Sequence, residues 1–301
     1  MSTMKLRSTK IKDSLGDRLF LIAIYAALSL ILLIVLYPLI YVISSSFSSP
    51  AAVTSGKVWL WPVDISLKGY ENLIQNPKVM SGYANSIFYT AMGTCISVVL
   101  TIMVAYPLSR KTFFGKNVLM MLVTFTMLFS GGLIPTYLVV KQLGLIDTRW
   151  ALLIPNAIWV WQVIITRSFF QSSIPDELFD ASEIDGASDF RFLWSVVVPL
   201  SKPILAVLTL IYAVGQWNAY FDALIYLKSA NLFPLQLILR SIIILNNSSN
   251  ATDALKQVER QQLAELLKYS LIVVTTLPVL IIYPFVQRFF VQGMMVGSVK
   301  G

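Results

Sequence analysis

The sequence predicts an all-α polytopic membrane bundle, and three observations predict it. Hydrophobic residues fill 56% of the 301 positions and charged residues only 13%, about half the share of charge in an average soluble domain. Charge is absent altogether from Leu19 to Gly56, Val79 to Ser109, Asn117 to Val140, Ala151 to Thr166, Pro203 to Phe221 and Tyr269 to Gln287, where a hydrocarbon layer of roughly 30 Å asks for about 20 helical residues. Within these stretches Leu, Ile and Val run in blocks without the alternation of a barrel strand, so backbone groups that must bond internally in lipid do so as helices.

Taken in order, residues 1–18 form a basic tail and residues 19–291 a six-helix transmembrane domain, with spans predicted at 19–47, 82–109, 117–140, 151–171, 203–227 and 267–290. The first span is too long for a signal-peptide core and lacks a small-x-small cleavage site, which makes it a retained anchor. Gly131-Gly132 and Pro135 predict a kink or a close helix contact in the third span. Residues 172–202 form a loop between the fourth and fifth spans, and residues 292–301 a closing tail. Before the sixth span, Leu255, Val258, Leu263, Leu266 and Leu267 recur among polar residues as an amphipathic helix. With the tail inside, thirteen of the 23 Lys and Arg fall on the inner face, including those of the short loop "SRKTFFGK", so the positive-inside rule favours both termini in the cytoplasm. The net charge of +8 suits anionic headgroups better than nucleic acid, since no basic stripe with interleaved aromatics lies outside the spans.

Absences narrow the chemistry. The chain has no His, no Gly-x-x-x-x-Gly-Lys phosphate loop, and one cysteine, Cys95, best read as a small packing residue. Without a nucleophile and base pair it is expected to be no enzyme and to hold no cofactor or metal of its own. The triplets beginning at Asn246 and Asn250 match glycosylation acceptors but read more simply as a polar loop.

Charge reappears in "DASEIDGASDFRFLWSVVVPLSKP", residues 180–203. Ser173-Ile174-Pro175-Asp176 predicts a helix start with a capping side chain, and a helix running towards Gly186. Asp176, Glu177 and Asp180 would oppose the positive end of its dipole, each worth about 0.3–1 kcal/mol. Phe179, Ser182 and Gly186 share one face, small after the first residue. Ser188 and Asp189 can cap a second helix, and Pro199 and Pro203 interrupt the path into the fifth span. From pattern alone, an interfacial hairpin and a docking surface are equally good readings.

The string "DASEIDGAS…VVVPLSKPILA" resembles the EAA loop of the membrane subunits of binding-protein-dependent ABC importers, with Asp180 for the leading glutamate and Ser182 for the second alanine. "NSIFYTAMGTCISVVLTIMVAYPLSRKTFFGK", "GQWNAYFDALIYL" and the ending "GMMVGSVKG" resemble sugar-importer permeases similar to the six-span maltose permease subunit. "LFSGGLIPTYLVVKQLGLIDT" and "NLFPLQLILRSIIILNN" are similar to the branch for larger oligosaccharides, including alginate and rhamnogalacturonan fragments. The resemblance implies a permease subunit in a bacterial cytoplasmic membrane. It implies a second homologous permease, a dimer of ATPase subunits that binds ATP and Mg, and an extracytoplasmic solute-binding protein that delivers the oligosaccharide. It also implies that Asp180, Ala181, Ser182, Glu183, Asp185 and Gly186 form a coupling helix docked on the ATPase.

Polar and aromatic groups in the fifth span, Gln216, Asn218, Tyr220, Phe221 and Asp222, together with Asn156 and Gln162 in the fourth, are candidates for a substrate path. Polar side chains inside a membrane are costly unless they meet partners or water, and interhelical bonding is the competing reading, favoured for Trp217. Spacing pairs Gln216 with Tyr220 and Asn218 with Asp222 along two rows. The rival from another class is a self-contained ion-coupled transporter, for which Asp222 is the available intramembrane carboxylate.

Overall fold

The computed structural model describes residues 14–246 and 254–298, with side-chain surroundings given for 14–242 and 262–284. The basic tail before Ser14, the polar triplets between the fifth and sixth spans, Leu255 and Val258 as side chains, and the last residues of the closing tail lie outside this description. Among the described residues the secondary structure is entirely helical.

Helix α1 (Leu15–Ser46) starts from a capping box between Ser14 and Asp17 and stays exposed as far as Ile40, touching chiefly the last helix. Two short helices follow, α2 (Pro50–Thr54) and α3 (Lys68–Gln75). Pro77 at the start of α4 (Pro77–Ser109) costs nothing, because the first N–H groups of a helix have no internal partner. Its 33 residues span about 50 Å at 1.5 Å per residue.

The predicted third span is broken. It becomes α5 (Lys116–Leu128) and α6 (Leu133–Gln142), bent by 114°. Gly132, at φ 89° and ψ 179°, takes a conformation closed to residues with a side chain. The fourth span is also split, into α7 (Trp150–Leu153) and α8 (Val160–Ser173), with Pro155 in the gap, where a missing N–H and a clashing ring end a helix. Then come α9 (Asp176–Ile184), α10 (Asp189–Phe192), a π-helical turn at Leu193–Val197 and α11 (Val198–Leu200).

Helix α12 (Lys202–Asn218) leaves this segment at 84°. The predicted fifth span ends early, at Asn218, and resumes as α13 (Phe221–Tyr226). After α14 (Leu235–Asn246), the amphipathic segment and the sixth span form one helix, α15 (Ala254–Ser298). Three helices among the described residues are long and apolar enough to cross a bilayer, and five if each bent pair counts as one.

Helix α4 is the hub, packed most extensively on α12 and α8. Near its C-terminal half, Ile102, Ala105, Phe170, Phe192, Val197 and Leu208 share one core. Towards its other end, Val79 joins Trp217, Leu235 and Leu271 in a second. One face of α4 is polar yet buried. Asn85 donates to the carbonyls of Asn231 and Phe233 at 2.7 and 3.1 Å, and Tyr89 to Leu232 at 2.8 Å. The Ser86 hydroxyl accepts the Leu235 N–H at 2.8 Å, and Thr101 shares a 2.7 Å bond with Tyr212.

Asp147 clasps the loop before α14. Its carboxylate accepts the N–H groups of Lys228 and Ser229, both at 2.8 Å, and the Ser229 hydroxyl at 2.6 Å. These donors, the Ser229 hydroxyl foremost, hold its pKa below the ordinary value. A carboxylate depressed in this way lends stability above its ordinary pKa and loses it as pH falls through the folded value. Exchange protection of the Lys228 and Ser229 amides is therefore expected to be flat above about pH 5 and to fall below about pH 4. Asp147→Ala should remove that protection at neutral pH, measured by hydrogen exchange with mass spectrometry.

Candidate functional site

Two places collect the chemistry that the sequence singles out. One is the hairpin of α9 and α10. The expected Ser173 cap does not form: α8 runs through Ser173, and Pro175 occupies the N-cap of α9 without a side-chain bond. Asp176 is drawn instead to Lys111, with Nζ 2.6 Å from Oδ2. That bond lowers the Asp176 pKa and raises that of Lys111, so the pair persists from mild acid to well above neutral pH.

At its other end α9 closes in a Schellman motif. The Ala187 N–H reaches the Ser182 carbonyl at 2.9 Å, the Gly186 N–H reaches Glu183 at 3.0 Å, and Gly186 sits at φ +69°. A Cβ on Gly186 would meet nothing within 4 Å of this chain. Backbone conformation, rather than crowding inside the chain, requires the glycine. Ser188 then caps α10 through the Arg191 N–H at 3.3 Å, as its position predicts.

The orientation of α9 separates its faces. Phe179 packs on the core and meets Phe192 edge-on at 5.5 Å, while Ser182 is half-buried and bonds back to the Phe179 carbonyl at 2.8 Å. The face thus starting at Phe179 turns towards the bundle. Glu177, Asp180, Ala181 and Ile184, spaced i, i+3, i+4 and i+7, form the exposed face, with Glu183, Asp185 and Gly186 beside it. Ile184 is 87% exposed. Asp180, Glu183 and Asp185 have no ion-pair partner among the described residues. What remains outside is an apolar centre ringed by carboxylates, a composition suited to a basic partner groove.

The second place is a cavity of about 100 Å³ lined by Tyr89, Leu152, Asn156, Trp159, Gly215, Gln216, Ala219, Asp222, Ala223 and Pro234. The breaks between α7 and α8 and between α12 and α13 contribute to it. The gap between α7 and α8 brings Asn156 and Trp159, and the Trp159 N–H freed there donates to the Tyr212 hydroxyl at 3.2 Å. The interruption at Ala219 and Tyr220 rotates Asp222 away from Asn218, so the two predicted i,i+4 rows do not form. Asp222 instead accepts from Asn156 Nδ2 at 2.8 Å. Gly215 admits the Trp159 ring, since a Cβ would lie 2.4 Å from its edge, and Gly93 gives Gln216 similar room.

Of the path candidates, Asn156, Gln216 and Asp222 therefore meet. Asn218 lies outside the cavity and donates to the Val214 carbonyl of its own helix at 2.9 Å. Phe221 is exposed, and the Tyr220 ring lies 4.7 Å beneath the Arg240 guanidinium. Gln162 is 3% exposed, and its side-chain oxygen has no partner among the described residues. Trp217 behaves as interhelical glue, with Nε1 donating to the Thr275 carbonyl at 2.9 Å. Tyr89, Tyr212 and Arg240 escaped the sequence reading, because each acquires its role from a contact far along the chain.

A family described as "Binding-protein-dependent transport system inner membrane component" matches residues 13–296. The polygalacturonan/rhamnogalacturonan transport system permease protein YtcP of Bacillus subtilis is 41% identical over 95% of this chain and 99% of its own length. Protein LplC of the same organism is 42% identical over 89% of this chain and 90% of its own. The crystal structure of a bacterial ABC transporter involved in import of the acidic polysaccharide alginate holds a chain that superposes with a TM-score of 0.86. That chain is 36% identical, and the match covers 93% of this chain and 100% of that one.

The left-handed Gly186 yields a test. Asn, which tolerates this conformation, should leave thermal unfolding of the purified protein nearly unchanged in Gly186→Asn, whereas Gly186→Val should cost about 1–2 kcal/mol.

Proposed function

The chain belongs to the family of binding-protein-dependent transport system inner membrane components; from that premise we propose that it forms one half of the membrane path through which oligosaccharides bearing acidic residues are imported. It is a permease subunit of an ABC importer in a bacterial inner membrane. The rival reading of a self-contained ion-coupled transporter is set aside with that membership. In the proposed arrangement the helical hairpin faces the cytoplasm with both termini, and the bent pair α5–α6 and the split pair α7–α8 serve as the third and fourth of six spans. A second, homologous permease completes the path. A separate ATPase pair binds ATP and Mg and performs the hydrolysis, and an extracytoplasmic binding protein supplies the sugar.

The observation that carries this reading is the division of α9. Phe179 and Ser182 tie it to the bundle, while Glu177, Asp180, Ala181 and Ile184 remain exposed. A face of this kind can seat in a groove of the ATPase, with Ile184 as the apolar anchor. Asp180, Ala181, Glu183 and Asp185 would make the contacts around it, Ser182 would hold the face outward, and Gly186 would set the turn to α10. When ATP draws the two ATPases together, the seated helix moves with them, and the bundle exchanges inward for outward access.

At the cavity, the Trp159 and Tyr89 rings can stack on sugar C–H faces while Asn156, Gln216 and Asp222 bond hydroxyls. Tyr220 and Phe221 would line the continuation of the path, with Asn218 and Gln162 beside it. A volume of about 100 Å³ is below that of typical ligand pockets of about 300–1,000 Å³, which suits a closed path rather than a storage site. The substrate class follows the named relatives, two of which serve acidic polysaccharides.

Ile184→Asp tests the docking face. Losing a buried Ile is worth about 1.5–3 kcal/mol, so the ATPase retained on the purified permease pair should fall at least about tenfold, with the permease still inserted. Undiminished co-purification of the ATPase would reject the assignment.

A further inference from the structure

The hairpin follows α8 in the chain and shares a core with α8 and α12, and the end of α4 holds it as well. Between the end of α4 and the junction of α8 with α9 lies a cavity of about 340 Å³ lined in part by Tyr106, Arg110, Lys111, Gln171 and Pro175. Beside it the contacts are close. The Arg110 guanidinium lies 3.6 Å from the centre of the Phe179 ring on α9 and 5.9 Å from that of Phe192 on α10. Its Nε is buried and has no hydrogen-bond partner among the described residues, so the Phe179 face is its principal attachment. Lys111 pairs with Asp176 at the start of α9, and the Tyr106 hydroxyl reaches Asp189 of α10 at 3.4 Å. Both arms of the hairpin are thus gripped by the last turn of α4 and the residues just after it.

That grip is itself braced. The C-terminal carbonyls of α4 lack helical partners, and basic or amide side chains take them up: Arg167 from α8 donates to Leu108 at 2.9 Å, and Gln171 to Ser109 at 3.4 Å. Lys116 donates to the carbonyls of Arg110 and Lys111 at 3.1 and 3.2 Å. At the opposite end, Asn85, Ser86 and Tyr89 of the same helix hold the chain at Asn231 to Leu235, next to the polar cavity. One continuous helix joins the hairpin to the path.

We propose that Arg110 is a positioning residue for transport: its guanidinium, stacked on Phe179 with Phe192 beside it, fastens the ATPase-facing hairpin to the end of α4, so that displacement of the hairpin is carried along α4 to the segment at Asn231–Leu235. This rests on the reading that the hairpin docks the ATPase. It assigns transmission to α4 and to a clamp outside the hairpin, in the loop after α4. Lys111 and Asp176 add an exposed ion pair that contributes less.

The test uses the whole importer, this chain with its partner permease, ATPase pair and binding protein, in proteoliposomes. Its readout is oligosaccharide imported per ATP hydrolysed. Arg110→Ala is expected to lower that ratio about tenfold or more, in the range of ordinary coupling energies, while hydrolysis continues. Arg110→Lys, which keeps the cation, should recover part of it. Phe179→Leu, which keeps the apolar packing and removes the ring face, gives an independent route to the same loss. An unchanged ratio in Arg110→Ala or Phe179→Leu overturns the proposal, and so does a parallel fall of hydrolysis and import. The docking reading fails separately, through an ATPase that still co-purifies with Ile184→Asp; the clamp fails through an unchanged ratio in a complex whose ATPase is bound.

Discussion

A backbone in hydrocarbon has no water to satisfy it, and the interruptions of this bundle sit mostly where another helix supplies what the broken one has lost. The Trp159 N–H, released in the gap before α8, finds the Tyr212 hydroxyl. Carbonyls of the turn before α14 find Asn85 and Tyr89, and the first N–H of α14 finds Ser86. All four partners stand on α4 or α12, the pair with the largest contact in the chain. The bend between α5 and α6 differs, since Phe129 and Leu133 beside it are exposed on this chain.

This constraint explains why the polar cavity lies where it does. A helix break costs several backbone bonds, and the side chains that repair it must be polar and inward-facing. Of these side chains Tyr89 also lines the cavity. Asn156 and Asp222 meet across the breaks after α7 and α12. Glycines at 93 and 215 then let Gln216 and Trp159 approach closely. Tyr89 belongs to both path and scaffold, so a substitution there is expected to affect folding and transport together.

The hairpin end is governed by helix termini instead. Where α4 finishes, its carbonyl end attracts Arg167 and Gln171 of α8 and Lys116 at the start of α5. Arg110 is left to the rings of Phe179 and Phe192. Carboxylates on α9 that local helix-dipole arguments account for in part are split by tertiary contacts: Asp176 is committed to Lys111, while Asp180 stays exposed. The small face from Phe179 to Gly186, the sharper docking signal in the sequence, turns inward at Phe179 and Ser182, and the exposed face is the acidic one with Ile184.

The sequence by itself determined the lipid-soluble helices, the Ser188 cap, the glycine turn at 186 and the family to which the motifs belong. Each is a property of a few neighbouring residues or of average hydropathy, and a short window contains all the physics involved. Tertiary structure decided where helices stop, which face of α9 looks outward, and which polar groups meet. The break at Pro155 is tolerated in part because the distant Tyr212 hydroxyl takes up the freed Trp159 N–H, and Tyr212 or Arg240 carries no local mark of what it will touch. Such pairings depend on the simultaneous packing of α4, α8 and α12, which no single stretch of chain encodes.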